Sequence, residues 1–192
     1  MTVPLERIGV TSELVERAQR GDHEAFDALA TSVYHRLYAI AKRILRDGYA
    51  AEDAVQDTLV RAWRDLWALR DPEAFDAWLH RILVRACADH QRRTWKTRLD
   101  VTVDAIDPVG PDEVSQLIDR DALERAFERL SFDQRAVLVL THYAGLSGPE
   151  TAEVLAIPVG TVASRLHYAL RAMRLELAPS VELAVPTPEQ IR

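Results

Sequence analysis

A chain of 192 residues, 48% apolar and 28% charged, can form one medium domain or two small ones, each with its own core. No apolar run approaches the roughly 20 residues of a membrane span, residues 1–9 lack the apolar stretch of a signal peptide, and the lone Cys87 excludes an internal disulfide; a cytoplasmic protein in a reducing compartment is expected, with no membrane partner. The formal net charge of −6 argues against a nucleic-acid binder only if the charges are mixed, and they are segregated. Between positions 81 and 98, Arg81, Arg85, Arg92, Arg93, Lys96 and Arg98 face the single acid Asp89, and between 159 and 175 Arg165, Arg171 and Arg174 have no acid among them. Two basic stretches in an acidic chain predict two places where phosphate is met.

The elements read as helices throughout. Ser12 can cap a short helix that stops at Gly21, where a left-handed residue is tolerated. Phe26, Leu29, Val33, Leu37, Ile40 and Ile44 then recur at the spacing of a buried helical stripe ending near Asp47-Gly48. A third helix is expected over 51–67. A fourth opens at Asp71-Pro72, an acidic cap with proline at the first helical position, and runs to about Arg93. Periodicity then fails through a stretch holding Pro108, Gly110 and Pro111, which predicts a flexible linker. It resumes with Leu123, Ala126, Phe127 and Leu130, and Ser131 with Gln134 forms a capping box. The fold class is therefore all-α: two small helical domains, residues 12–97 and 119–177, joined by a linker at 98–118 and followed by a flexible tail at 178–192.

The C-terminal domain carries the layout of a helix-turn-helix. Ser147 and Glu150 form a second capping box, Ala152 is small where two helices cross, and Pro158 can open the next helix but not continue the last. At 100° per residue, Val159, Val162, Leu166, Ala169, Leu170 and Met173 fall on one side of the second helix. Gly160, Ser164, His167 and Arg171 fall opposite, flanked by Thr161 and Arg174. Small polar groups near the N-terminus and cations further along suit a helix lying in a major groove, and the helix N-terminus itself favours phosphate.

The N-terminal domain offers two further surfaces. On the third helix Val55, Thr58, Leu59, Ala62, Trp63 and Leu66 group as core, opposite Asp53, Asp57, Val60, Arg61 and Arg64. On the fourth, Phe75, Leu79, Ile82 and Ala86 face inward, while Trp78, Arg81, Arg85, Ala88 and Arg92 form one stripe. Arginines so spaced can track phosphates, and an adjacent tryptophan suits unpaired bases.

Three segments carry a resemblance. Residues 156–167, Ala-Ile-Pro-Val-Gly-Thr-Val-Ala-Ser-Arg-Leu-His, closely resemble the reading helix for the −35 promoter element in the extracytoplasmic-function sigma factors of bacterial RNA polymerase, whose pattern is roughly L-G-I-P-x-G-T-V-K-S-R-L-x-R-A. Ala156 stands where that family has glycine, so the turn must be reached with a side chain present, and Ala163 stands where lysine is common. Residues 51–63, Ala-Glu-Asp-Ala-Val-Gln-Asp-Thr-Leu-Val-Arg-Ala-Trp, look like the family's docking helix for the clamp of the polymerase's largest subunit. Residues 75–82 with Asp89, Arg92 and Arg93 are similar to its −10 region, where the preceding loop holds a base flipped from the non-template strand.

The resemblance implies a sigma factor that binds core polymerase and directs promoter recognition and transcription initiation. It assigns polymerase docking to Glu52, Asp53, Gln56, Asp57, Val60, Arg61 and Arg64. It assigns −10 DNA to Trp67, Arg70, Asp71, Trp78, Arg81, Arg85, Arg92, Arg93 and Lys96, and −35 DNA to Gly160, Thr161, Ser164, Arg165, His167, Arg171 and Arg174. The implied partners are core polymerase, promoter DNA and an anti-sigma factor. A conventional helix-turn-helix repressor or activator is the other reading, but it requires a dimer seam and a sensing domain, and leaves the docking pattern without a role. The six histidines are scattered, with no His-Glu-x-x-His pattern and no glycine-rich phosphate loop, so no catalytic residue, metal site or cofactor is expected. Cys87, within a helix, reads as a small buried thiol.

Overall fold

The computed structural model describes residues 12–98 and 122–183, with side chains described for 12–94 and 122–177; helices are the sole regular elements among them. Of the expected linker, Arg98 closes the helix that begins at Phe75 and residues 99–118 lie outside the described residues, as do residues 184–192 of the expected tail. Helix α1 (Ser12–Gln19) ends at Gly21, whose φ of 90° needs no Cβ to be accommodated. Asp22 caps α2 (His23–Leu45) by accepting from Ala25 N–H, and Arg17 donates to the same carboxylate at 2.7 Å. These contacts hold the Asp22 carboxyl below the usual carboxylate range, the helix-capping N–H first and Arg17 second.

The α2–α3 corner differs from the sequence expectation. Helix α2 stops at Leu45, just before Asp47-Gly48, because Arg46 takes the left-handed conformation, with φ 61° and its N–H on Lys42 O. Asp47 is thereby free to cap α3 (Gly48–Asp65), so the Asp-Gly pair starts a helix instead of ending one. Ser12 differs too: it lies inside α1 and its hydroxyl donates to Glu73, tying α1 to the segment before α4. That segment consists of two 3-10 turns, Leu66–Ala68 and Pro72–Ala74, ahead of α4 (Phe75–Arg98).

The C-terminal part comprises α5 (122–128), α6 (Phe132–Leu138) running into a π-helical turn over Val139–Tyr143, α7 (Gly148–Leu155) and α8 (Val159–Leu183). Both capping boxes form: Ser131 with Gln134, and Ser147 with Glu150. Helix α8 continues through 178–183, positions expected to belong to the tail.

Leu29, Leu37, Ile40, Ile44, Val55, Leu79 and Leu83 fill the core of α1–α4. Val137, Ala152 and Val162, with Leu130, Leu138 and Ala169, fill smaller cores under α8. These parts do not stand apart: Ala136, Val139, Leu140 and Val154 join the α1–α4 core. Helix α4 is consequently buried on more than its predicted face, with Leu83, Val84 and Cys87 covered as well as Phe75, Leu79 and Ala86.

The turn of the helix-turn-helix is made as expected, with a side chain present. Ala156 ends α7 at φ 53°, its N–H returning to Ala152 and Glu153 carbonyls. A left-handed alanine costs about 1–2 kcal/mol, partly offset by the greater backbone entropy that glycine loses on folding. Ala156→Gly is therefore expected to stabilise the protein by roughly 0.5–1 kcal/mol; urea denaturation checks it, and a destabilised variant contradicts the account.

Candidate nucleic-acid interface

Helix α3 presents one outward stripe. Tyr49 is 83% exposed, Val60 67% and Trp67, just past the helix, 76%, with Asp53 and Gln56 exposed between them. Glu52 and Arg64 are also exposed. Trp63, expected in the core, is a correction: it is 38% exposed, because His23 and Phe26 cover its ring at 4.7 and 4.8 Å and nothing described closes its far side. Tyr49 escaped the sequence reading, although Tyr49, Asp53, Gln56, Val60, Trp63 and Trp67 repeat at the alternating four-and-three spacing of a helix–helix seam.

Asp57 and Arg61 turn sideways toward α4. Arg61 reaches Asp89 at 3.1 Å and Asp57 at 4.0 Å, and Arg93 and His90 lie 3.5 and 3.7 Å from Asp57. Burial opposes ionisation of Asp89, but hydrogen bonds from Arg92 and Arg61 prevail and hold its carboxyl below the usual range. Two residues expected to dock on polymerase and two expected to meet −10 DNA thus share one ion network.

The loop expected to hold a flipped base is braced from below. Gln19 Nε2 donates to Leu66 O at 3.1 Å and Leu69 O at 2.6 Å, and Asp71 accepts from Glu73 N–H. Trp67, Arg70 and Asp71 are exposed on its rim. Trp78 instead packs on the core beside Phe75. Along α4, Arg81 is ion-paired with Glu153 of α7 at 2.6 Å, Arg85 is exposed, and Arg92 is paired with Asp89 at 2.6 Å. The Lys96 side chain lies outside the described residues.

On α8 Val162 and Ala169 are buried, and Gly160, Ser164, His167, Arg171 and Arg174 are exposed; Thr161 is half-buried. Val159, expected in the core, is 50% exposed, since it precedes the first turn that meets α6 and α7. Arg165 does not join the outward set: it bends to Asp133 of α6 at 2.6 Å. Tyr168, left out of the sequence reading, lies exposed with its ring edge-on to His167; extending the helical projection by one residue would have found it.

Burial pushes the Cys87 thiol up to about 12, which keeps it protonated. Among the described residues no group of three or more His, Cys, Asp or Glu is placed to hold a metal ion, and no helix is long and apolar enough to cross a membrane.

Comparison with known proteins agrees with this geometry. Residues 29–97 match the model of sigma-70 region 2, and residues 120–173 that of sigma-70 region 4. The RNA polymerase sigma-H factor of Pseudomonas aeruginosa is 33% identical over 87% of this chain and 93% of its own. The ECF RNA polymerase sigma factor SigM of Mycobacterium tuberculosis is 36% identical over 80% of this chain and 78% of its own. Among solved structures, CnrH in complex with the cytosolic domain of CnrY superposes with a TM-score of 0.63 at 27% identity, covering 91% of this chain and 98% of that one. The sigma factor RpoE of Bartonella quintana, bound to the anti-sigma factor NepR, superposes at 0.65 and 27% identity, covering 80% and 96%. With both regions present in order and relatives matched over most of their length, the chain belongs to the extracytoplasmic-function sigma factors, which bind RNA polymerase and direct it to promoters.

Proposed function

We propose that the work of this sigma factor is divided among three surfaces. The outward α3 stripe, with Glu52, Asp53, Gln56, Val60 and Arg64, docks on the clamp of the polymerase's largest subunit, and Asp57 and Arg61 border it. The loop carrying Trp67, Arg70 and Asp71, with Trp78 and with Arg81, Arg85, Arg92, Arg93 and Lys96 of α4, takes the melted −10 strand. The α8 face of Gly160, Thr161, Ser164, His167, Arg171 and Arg174 reads the −35 duplex, and Arg165 holds α8 to α6 beside it. Two modest DNA sites on one chain reinforce each other through effective concentration. An anti-sigma factor is the expected regulatory partner, as NepR is for the solved RpoE of Bartonella quintana, and the site of action is the cytoplasm, where the polymerase works. No catalytic step is assigned to the chain itself.

The observation that carries this reading is the split of α8, whose inner residues Val162 and Ala169 are buried while Ser164, His167 and Arg171 all face outward. Run-off transcription with purified bacterial core polymerase and pooled genomic promoters tests it: specific starts sharing a pair of upstream elements are expected, and failure to bind core overturns it. On a promoter so identified, Arg171→Ala is expected to weaken holoenzyme binding about five- to tenfold and to reduce the salt slope by about one, as loss of one phosphate contact does. Unchanged affinity would remove Arg171 from the −35 face.

A further inference from the structure

The outward face of α8 holds few side chains able to reach a base edge. Gly160 has none, and Thr161 is half-buried. Ser164 is short, and its hydroxyl donates to Thr161 O at 3.0 Å, which leaves it acceptor capacity alone. Arg165 is held by Asp133 of α6 at 2.6 Å. Two large flat groups remain ahead of Arg171, namely His167 and Tyr168, and both are exposed.

Tyr168 has no packing role that accounts for it. Its side chain is 57% exposed and belongs to neither of the apolar cores under α8. The His167 ring stands edge-on to it, with centroids 5.7 Å apart and planes at 74°, so one side of the Tyr168 ring is braced from its own helix. At ~100° per residue, Tyr168 returns to within about 40° of Ser164 and Arg171 to within about 20°, which places the three along one line of the helix. The four-residue step from Ser164 advances ~6 Å along the axis, close to two base steps at ~3.4 Å each. On a helix lying in a major groove, the ring therefore faces base edges one turn before Arg171.

The chemistry of the ring selects the base. Its carbon edge and face are apolar, and the major groove presents one apolar substituent, the 5-methyl group of thymine, among donors and acceptors. We propose that Tyr168 reads a thymine of the −35 element through that methyl group, with His167 bracing the ring, and so sets the base preferred at one position. The inference rests on the assignment of the outward α8 face to the −35 duplex. The contact is worth about fourfold in affinity, the value of burying one methyl-sized apolar group.

The test uses holoenzyme assembled with purified bacterial core polymerase on a promoter identified by run-off transcription. Each thymine of the −35 element, on either strand, is replaced in turn by deoxyuridine, which keeps the base pair and removes only the methyl group. With the wild-type chain, one such replacement is expected to weaken promoter binding about fourfold. Tyr168→Ala is expected to bind the thymine promoter about fourfold more weakly and to lose nothing further on deoxyuridine at that position. Its salt slope stays unchanged, because no phosphate contact is removed. Tyr168→Phe, which keeps the ring, is expected to keep the discrimination. The proposal is overturned if no position is sensitive with the wild-type chain, if the element contains no A·T pair, if Tyr168→Ala still discriminates, or if Tyr168→Phe does not. Arg171→Ala separates the two levels. If it weakens binding and reduces the salt slope while no thymine methyl matters, the α8 face still meets the −35 duplex and the thymine contact alone fails. If neither Arg171→Ala nor Tyr168→Ala changes promoter affinity, the assignment of the face fails as well.

Discussion

Arg135→Ala is expected to destabilise the protein by about 4 kcal/mol, from two buried carbonyls left without donors at ~1–3 kcal/mol each and the lost packing of the side-chain stem. Arg135 is only 9% exposed. Its Nε donates to Ile44 O at 2.7 Å and its Nη1 to Leu130 O at 2.6 Å. Ile44 lies in the last turn of α2 and Leu130 just past α5, so the cation sits where two helices end and their carbonyls carry partial negative charge. Burial first, and the nearby Arg46 second, push the guanidinium's pKa down, and the two carbonyl dipoles act in the opposite sense by favouring the cation. Arg135→Met refines the measurement: it keeps most of the stem but orphans the same carbonyls, and is expected to recover only the packing share. Urea denaturation of the three chains decides it. A loss under about 1 kcal/mol for the alanine variant would show that the carbonyls find other partners.

The second large effect is a dependence of stability on pH through His80. The ring is 4% exposed, and neither nitrogen has a hydrogen-bond partner among the described residues. Burial first and the charge of Arg36 second lower its pKa to about 4, against a smaller opposing pull from Asp76. Arg36 and Asp76 are themselves ion-paired at 2.5 Å beside it. The unfolded chain takes up a proton on this histidine near 6.5, whereas the folded chain does so only near 4. The unfolded state therefore binds more protons below 6.5, and the contribution of a neutral buried ring, present in full above 6.5, is lost as pH falls toward 4. The shift corresponds to about 3 kcal/mol over that window. The unfolding free energy of wild type minus that of His80→Phe is expected to fall by about that amount between neutral pH and pH ~4. Parallel pH profiles for the two chains would mean that His80 does not titrate in this way.

Much of the local structure was legible. The stripe Leu29, Val33, Leu37, Ile40, Ile44 is buried along its length, because a helix must hide an apolar face of that period wherever it lies. Both capping boxes and the turn at Ala156 formed at their expected positions, since each depends on residues three or four apart. The outward set on α8 was equally accessible to a helical projection, as the exposure of Ser164, His167 and Arg171 bears out.

The partners of those faces were settled only in three dimensions. Periodicity marks α4 as having an inner side but does not say that α7 covers Val84 and engages Arg81 from 72 residues away. The same gap hid the ion pair of Arg165 with Asp133 and left Trp63 half in solvent. It also hid Arg135, an ordinary surface-type residue in sequence, between the ends of two helices. Helical period and capping are short-range consequences of backbone geometry, written into neighbouring residues. Which charge meets which, and which apolar face finds cover, depends on how whole helices stack, and stacking is decided by side chains far apart in the chain.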